Sequence, residues 1–239
     1  SALERGMQQI LLFITGLVLA RLISPSEYGL IAMVMVFIAI CQNLMDGGLR
    51  AAIIQKKLVS EADCSTALAL NMGFALGLAT ILCIAAPLIA TFYREPRLVT
   101  VVQSLSVGLI LQAPSVIQTA LLTRQHAFRE ISLAAIPSYL IAGIVGIYWA
   151  YQGYGVWALV GMTLVSKLLN TLFLWKVSDW KPTATASRAS CSSLLPFGSK
   201  VLACSMLDTI FMHIYVLLIG KCFTPASVAY YQRALSFQQ

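Results

Sequence analysis

Residues 66–92 read TALALNMGFALGLATILCIAAPLIATF, a run without one charged side chain. A helix rises 1.5 Å per residue, so about 20 apolar residues cross the roughly 30 Å hydrocarbon core of a bilayer. This run exceeds that length, and Ser60 with Asp63 ahead of it has the spacing of a capping box. A membrane-spanning strand would instead need about ten residues of alternating polarity. The segment therefore reads as a transmembrane helix.

Outward from it, the pattern repeats. Apolar spans run near Gly6 to Ile23, Glu27 to Leu49, Leu98 to Leu122, Ile131 to Tyr151, Tyr154 to Lys176 and Leu195 to Gly220, and a further one opens after Pro225. The expected fold class is an all-α integral membrane protein: a polytopic helical bundle of about seven complete transmembrane helices plus the start of an eighth. With 59% hydrophobic and 10% charged residues, the 239-residue chain has more apolar surface than one soluble core could bury. Ser24-Pro25 and Thr224-Pro225 each place a capping hydroxyl before a proline suited to a first helical turn. Tyr-Gln-Gly-Tyr-Gly at 151–155 reads as a tight turn, and Pro87, Pro114 and Pro137 predict kinks within spans.

The net charge of +7 reflects topology rather than a nucleic-acid surface, because the basic residues sit at span ends. Arg50, Lys56, Lys57, Arg124, Arg129, Lys176, Lys181, Arg188 and Lys200 fall in the even-numbered loops, against Arg21, Arg94, Arg97 and Lys221 in the odd ones. Short cytoplasmic loops retain Lys and Arg, so the N-terminus is expected in the cytoplasm. Tyr148, Trp149, Tyr151, Tyr154 and Trp157 read as an outer aromatic belt, with Trp175 and Trp180 at the inner end of span six. Six scattered cysteines show no CxxC pairing and no His at ligand spacing, so they read as small apolar fillers and no metal or cofactor is expected.

Leu19-Ala-Arg-Leu-Ile-Ser-Pro25 recurs 200 residues later as Ile219-Gly-Lys-Cys-Phe-Thr-Pro225. Six crossings separate the copies, as in transporters built of two parallel repeats. The expected division is a six-helix bundle over 1–192 and the start of a second, truncated bundle over 193–239. The absence of an initial Met and the stop at Gln239 inside span eight lead us to expect a fragment of a 12–14-helix transporter.

Ionisable groups inside spans mark candidate sites, since each costs about 2.5–3.5 kcal/mol at a helix centre. Asp46 and Arg50, four apart around Gly47-Gly48, form either an interfacial ion pair or the mouth of a cavity for an anionic head group. Lys167 and Asp208 lie at mid-bilayer depth in spans six and seven, where a contact between them would bridge the two halves. His213 is either a proton-relay member or an interior histidine. Gln8, Gln9, Gln42 and Asn43 suit a polar lumen or interhelical hydrogen bonds. GxSxG, HExxH and phosphate-loop motifs are missing, which argues against an enzyme.

Specific motifs carry a resemblance: Ser-Ala-Leu-Glu-Arg at 1–5, Leu-Ala-Arg-Leu-Ile-Ser-Pro-Ser-Glu-Tyr-Gly-Leu-Ile-Ala-Met at 19–33, Asp-Gly-Gly-Leu-Arg-Ala-Ala-Ile-Ile-Gln at 46–55, Gly-Tyr-Gly-Val-Trp-Ala-Leu-Val at 153–160, Leu-Leu-Ile-Gly at 217–220 and Ala-Tyr-Tyr-Gln-Arg-Ala at 229–234. In this order they resemble the polysaccharide transporter family, the O-antigen and exopolysaccharide flippases of the multidrug/oligosaccharidyl-lipid/polysaccharide exporter superfamily. The resemblance implies two six-helix bundles around a cationic cavity in the bacterial inner membrane. That cavity would pass an undecaprenyl-diphosphate-linked repeat unit to the periplasmic leaflet, with Arg5, Arg50 and Lys167 meeting the diphosphate. Candidate partners are a polysaccharide polymerase and its chain-length machinery, and the coupling ion would be H+ or Na+. The family often carries an arginine and an acid just before Leu-Leu-Ile-Gly, where this chain has Met-His-Ile-Tyr at 212–215. The alternative, a cation-coupled drug antiporter of the same superfamily, would favour acidic cavity residues, and few buried acids are present.

Overall fold

A computed structural model describes the backbone of residues 2–182 and 187–236, and their side chains except those of residues 2–8, 10, 12, 195, 233 and 236. Among these residues the order is α1 (Ala2–Leu22), α2 (Pro25–Asp46), α3 (Leu49–Gln55), α4 (Glu61–Tyr93), α5 (Leu98–Arg124), α6 (Phe128–Tyr151), α7 (Val156–Val177), α8 (Arg188–Cys222) and α9 (Pro225–Ser236). Six of them, α2, α4 to α7 and the Pro196–Cys222 part of α8, are long and apolar enough to cross a membrane, and α1 adds a shorter apolar stretch, Phe13–Leu22. The protein is a polytopic helical membrane protein.

The expected boundaries fall where their capping chemistry puts them. Ser60 Oγ accepts from the Asp63 backbone N–H at 3.2 Å while the Asp63 carboxylate accepts from the Ser60 N–H at 3.0 Å, which starts α4. Pro25 opens α2 behind Ser24, and Gly153 and Gly155 with φ of 80° and 56° turn α6 into α7. The largest differences from the expected spans are at helix starts, α8 at Arg188 rather than near Leu195 and α4 at Glu61 rather than near Thr66, and the second span stops at Asp46 rather than Leu49. Gly47 and Gly48 both adopt left-handed φ (52° and 67°), a pairing that ends α2 and starts the separate α3.

The core sits between α2 and α5, whose Met33, Val34, Leu98, Leu105, Leu109 and Ile117 are fully enclosed. Helix α5 packs against α2, α3, α4, α6 and α7, while α8 and α9 lie on α2. Outward-facing apolar residues such as Ile84 (71% exposed) and Phe211 (76%) are what a bilayer rather than water would cover.

Near the repeat, the backbone of Pro225 fills the space where a side chain at Gly29 would lie. Pro25 in turn shares a crevice with Ala229, the residue 200 positions after Gly29. Such reciprocal contacts are the pattern of a two-fold arrangement.

Candidate functional site

Proline 114 has no N–H, so α5 loses a rung of its ladder in mid-helix. Around it, four successive carbonyls accept side-chain hydrogen bonds: Leu111 from Thr171 Oγ1 (2.7 Å), Gln112 from Ser115 Oγ (2.7 Å), Ala113 from Asn71 Nδ2 (2.9 Å) and Pro114 from Trp175 Nε1 (3.2 Å). These bonds clamp α4 and α7 onto α5 beside the interrupted ladder. Trp175 therefore points at α5 rather than forming part of an aromatic belt.

The Gln112 side chain joins the same junction. Its Oε1 accepts from Lys167 Nζ at 2.7 Å and from Gln42 Nε2 at 3.0 Å, tying α7 and α2 to α5. Gly108, one turn earlier, leaves room for the Lys167 stem; a Cβ there would lie 3.1 Å from Lys167 Cδ.

Below this junction opens a cavity of about 540 Å³. Helix α5 lines it with Gln112, Ser115 and Thr119, spaced by three and four as one helix face; α6 adds Tyr139, α7 adds Asn170, α1 adds Gln9 and α3 adds Arg50. Among the described lining residues Arg50 is the only charged one. The volume falls in the roughly 300–1,000 Å³ range of small-molecule sites.

Arg50 reaches the cavity because of the Gly47-Gly48 break. Asp46 Oδ1 accepts from the Arg50 backbone N–H at 3.2 Å, capping the first turn of α3, and its Oδ2 lies 3.6 Å from Arg50 Nε. The pair thus spans a helix break instead of lying along one helix as expected. Arg50 Nε is covered yet has no hydrogen-bond partner, while the side chain as a whole is 42% exposed. The residue also lines a second, 140 Å³ crevice between α3 and α8.

The remaining candidates lie apart. The Arg5 side chain is outside the described residues. Lys167 and Asp208 do not meet: α7 shares no packing face with α8, and Lys167 is bonded to Gln112. Asp208 is exposed on α8, and His213 is half-buried there with no hydrogen bond to a described residue. Gln112, Tyr139 and Asn170 were not anticipated; the polar 3–4 spacing of Gln112, Ser115 and Thr119 was the available signal.

At the end of α5, Arg124 holds the last turn of α3 and the residues that follow it. Its guanidinium donates to the carbonyls of Ile53 (3.0 Å), Ile54 (3.3 Å), Lys56 and Lys57 (2.7 Å). Lys56 Nζ meanwhile bonds Asp63 Oδ2 at 2.8 Å and Ser193 Oγ at 3.0 Å, linking α4 to α8.

Membrane-crossing helices here surround a polar cavity edged by Arg50, which is paired to Asp46. The chain belongs to the family described as polysaccharide biosynthesis protein, whose model matches residues 18–239. It is 25% identical over 170 residues to the succinoglycan biosynthesis transport protein ExoT of Rhizobium meliloti, covering 71% of this chain and 34% of that protein. It is 24% identical over 208 residues to the lipopolysaccharide biosynthesis protein WzxC of Escherichia coli (85% and 42%), and 24% identical over 198 residues to the teichuronic acid biosynthesis protein TuaB of Bacillus subtilis (81% and 40%). The chain spans about a third to two-fifths of the length of these relatives. No solved structure matches it significantly.

Proposed function

We propose that this chain forms the first bundle, and the start of the second, of an exporter that carries an undecaprenyl-diphosphate-linked oligosaccharide across the bacterial inner membrane. The observation that carries the reading is the cavity's charge. Its one charged lining residue among those described is Arg50, paired to Asp46 outside the lining, a second cation, Lys167, stands behind Gln112, and no carboxylate is among the described lining residues. Guanidinium and ammonium groups at low dielectric suit a diphosphate, whose oxygens accept charge-assisted hydrogen bonds. The amide and hydroxyl groups of Gln112, Ser115, Thr119 and Asn170 suit sugar hydroxyls. An organic-cation antiporter would want carboxylates, and none is among the described lining residues.

Asp46 in this reading orients Arg50. Asp208 and His213 act outside the cavity, facing the second half. The cavity lies toward the end where α1 begins, α5 ends and α6 begins, the end with most of the loop Lys and Arg, so it faces the cytoplasm and receives its cargo there. Proton or sodium coupling drives the step, which is transport and not catalysis. The periplasmic product passes to a polymerase with its chain-length machinery.

The test is glycan export in a bacterial strain lacking its own flippase, complemented with the full-length gene and with Arg50→Ala and Lys167→Met variants at matched expression. The reading expects surface glycan with the parental gene and its loss in both variants. Full activity in both variants overturns the cavity assignment. An inserted parental protein that restores nothing across matched glycan loci overturns the exporter reading.

A further inference from the structure

The walls of the polar cavity differ in what they can bind. On α5, Ser115 Oγ donates to the Gln112 carbonyl at 2.7 Å and Thr119 Oγ1 donates to the Ser115 carbonyl at 2.8 Å. A hydroxyl has one proton, so both oxygens keep lone pairs to offer and no donor. Gln112 Oε1 already accepts from Lys167 and Gln42, which leaves its Nε2 to donate. Along roughly 10 Å of helix this wall therefore presents a donating amide and then two accepting hydroxyl oxygens. The α6 wall is of another kind: Ile131, Ala135 and Tyr139 form a stripe with a spacing of four, and its sole polar side-chain atom is the Tyr139 hydroxyl.

These groups share a level. Thr171 and Trp175 of α7 bond Leu111 and Pro114 of α5, so the two helices run side by side in one direction and Asn170 stands at the height of Gln112. Tyr139 lies roughly 16 Å into α6 and Ser115 roughly 14 Å before the end of α5, with the short 125–127 corner between the helices. Gln112, Ser115, Tyr139 and Asn170 thus form one layer of the cavity that Arg50 also lines. Neither Tyr139 nor Asn170 has a hydrogen bond to a described residue, so both are available to a ligand. A pyranose has the matching two-sidedness, with hydroxyls round its edge and C–H bonds on its faces. The face of a Tyr ring is electron-rich and attracts such hydrogens. An anion alone would meet only lone pairs at Ser115 and Thr119, whereas a ligand with hydroxyl protons satisfies both.

We infer that this layer is a subsite for the sugar ring next to the diphosphate, with Tyr139 as its specificity-determining residue: the Tyr139 ring takes a C–H face of the pyranose, while Ser115 and Thr119 accept from its hydroxyls and Gln112 donates to them. The subsite rests on the exporter reading and adds a rule for the cargo. A ring with a free hydroxyl edge is taken, and one whose hydroxyls are blocked is refused, because blocking leaves the two oxygens of α5 without a donor.

The experiment measures binding of radiolabelled polyprenyl-diphosphate lipids to the full-length protein in nanodiscs. The probes are the bare diphosphate, versions carrying glucose, galactose or N-acetylglucosamine, and the O-methylated form of whichever binds tightest. At least one glycosylated lipid should bind about tenfold or more tighter than the bare lipid, and its O-methylated form no better than the bare one. Tyr139→Ala should abolish that advantage and leave bare-lipid binding within about twofold of the parent. Tyr139→Phe should keep the advantage, since the ring and not the hydroxyl is used, and Thr119→Val, alike in shape but without the acceptor, should lower it several-fold. Retained bare-lipid binding in Tyr139→Ala separates loss of the platform from misfolding, and the O-methylated arm needs no variant. Equal binding of the O-methylated lipid, or a sugar advantage that survives Tyr139→Ala, overturns the inference. Equal binding of bare and glycosylated lipids sinks this inference alone, whereas binding of none of the lipids sinks the exporter reading with it.

Discussion

Lys167→Met separates a structural lysine from one kept for cargo. At the centre of a membrane helix, lysine costs about 2.5–3.5 kcal/mol on the insertion scale. Its described return is one bond to Gln112 at 2.7 Å, and a hydrogen bond involving a charged group is worth about 1.5–3 kcal/mol. Methionine removes the cost and keeps most of the packing against Gly108, while Gln112 Oε1 retains Gln42 as donor. The fold should therefore hold its stability or gain about 1 kcal/mol, whereas export should fall at least about tenfold if the ammonium meets the diphosphate. The checks are thermal unfolding of the purified full-length variant in nanodiscs and surface glycan in the complemented strain. A variant destabilised by more than about 1 kcal/mol would mean that Lys167 is chiefly a strut, and one that exports normally would remove it from the cargo path.

Other perturbations probe the frame around the cavity. Arg124→Ala strands the carbonyls at the end of α3 and should cost about 2–4 kcal/mol, with faster proteolysis between residues 56 and 60 and only partial recovery in Arg124→Lys. Lys56→Met leaves the Asp63 carboxylate, 4% exposed, without its cation and should cost about 3 kcal/mol, read as a lower unfolding midpoint. Gly48→Ala puts a Cβ at φ 67° and into the Gly198 backbone, so the folded yield of membrane protein should drop sharply, measured by detergent-resistant monodispersity. Asp208→Asn, on the exposed side of α8, should leave the unfolding midpoint within about 0.5 kcal/mol of the parent.

The helices were legible because a bilayer demands long uninterrupted apolar runs, and their starts because Ser60-Asp63, Ser24-Pro25 and Thr224-Pro225 write capping chemistry directly into the chain. The α2–α3 break was hidden because Gly47-Gly48 reads equally well as a flexible bend, and only the φ values distinguish the two. Arg50 was visible as a charge beside a span. Gln112 was legible only as one end of the polar face it shares with Ser115 and Thr119, since its partners come from 55 and 70 residues away. Asp208 was legible as a charge at mid-bilayer depth, but depth says nothing about which way a helix is rotated, and here the residue lies exposed on α8.

The hold of Arg124 on residues 53–57 has an evolutionary corollary. Every oxygen it grips belongs to the main chain, so the grip is indifferent to which side chains those positions carry. Lys57, exposed beside the grip, can drift through many substitutions, proline and glycine aside, without loosening the corner. An epitope or fluorophore grafted at Lys57 should therefore ride on the protein without disturbing it.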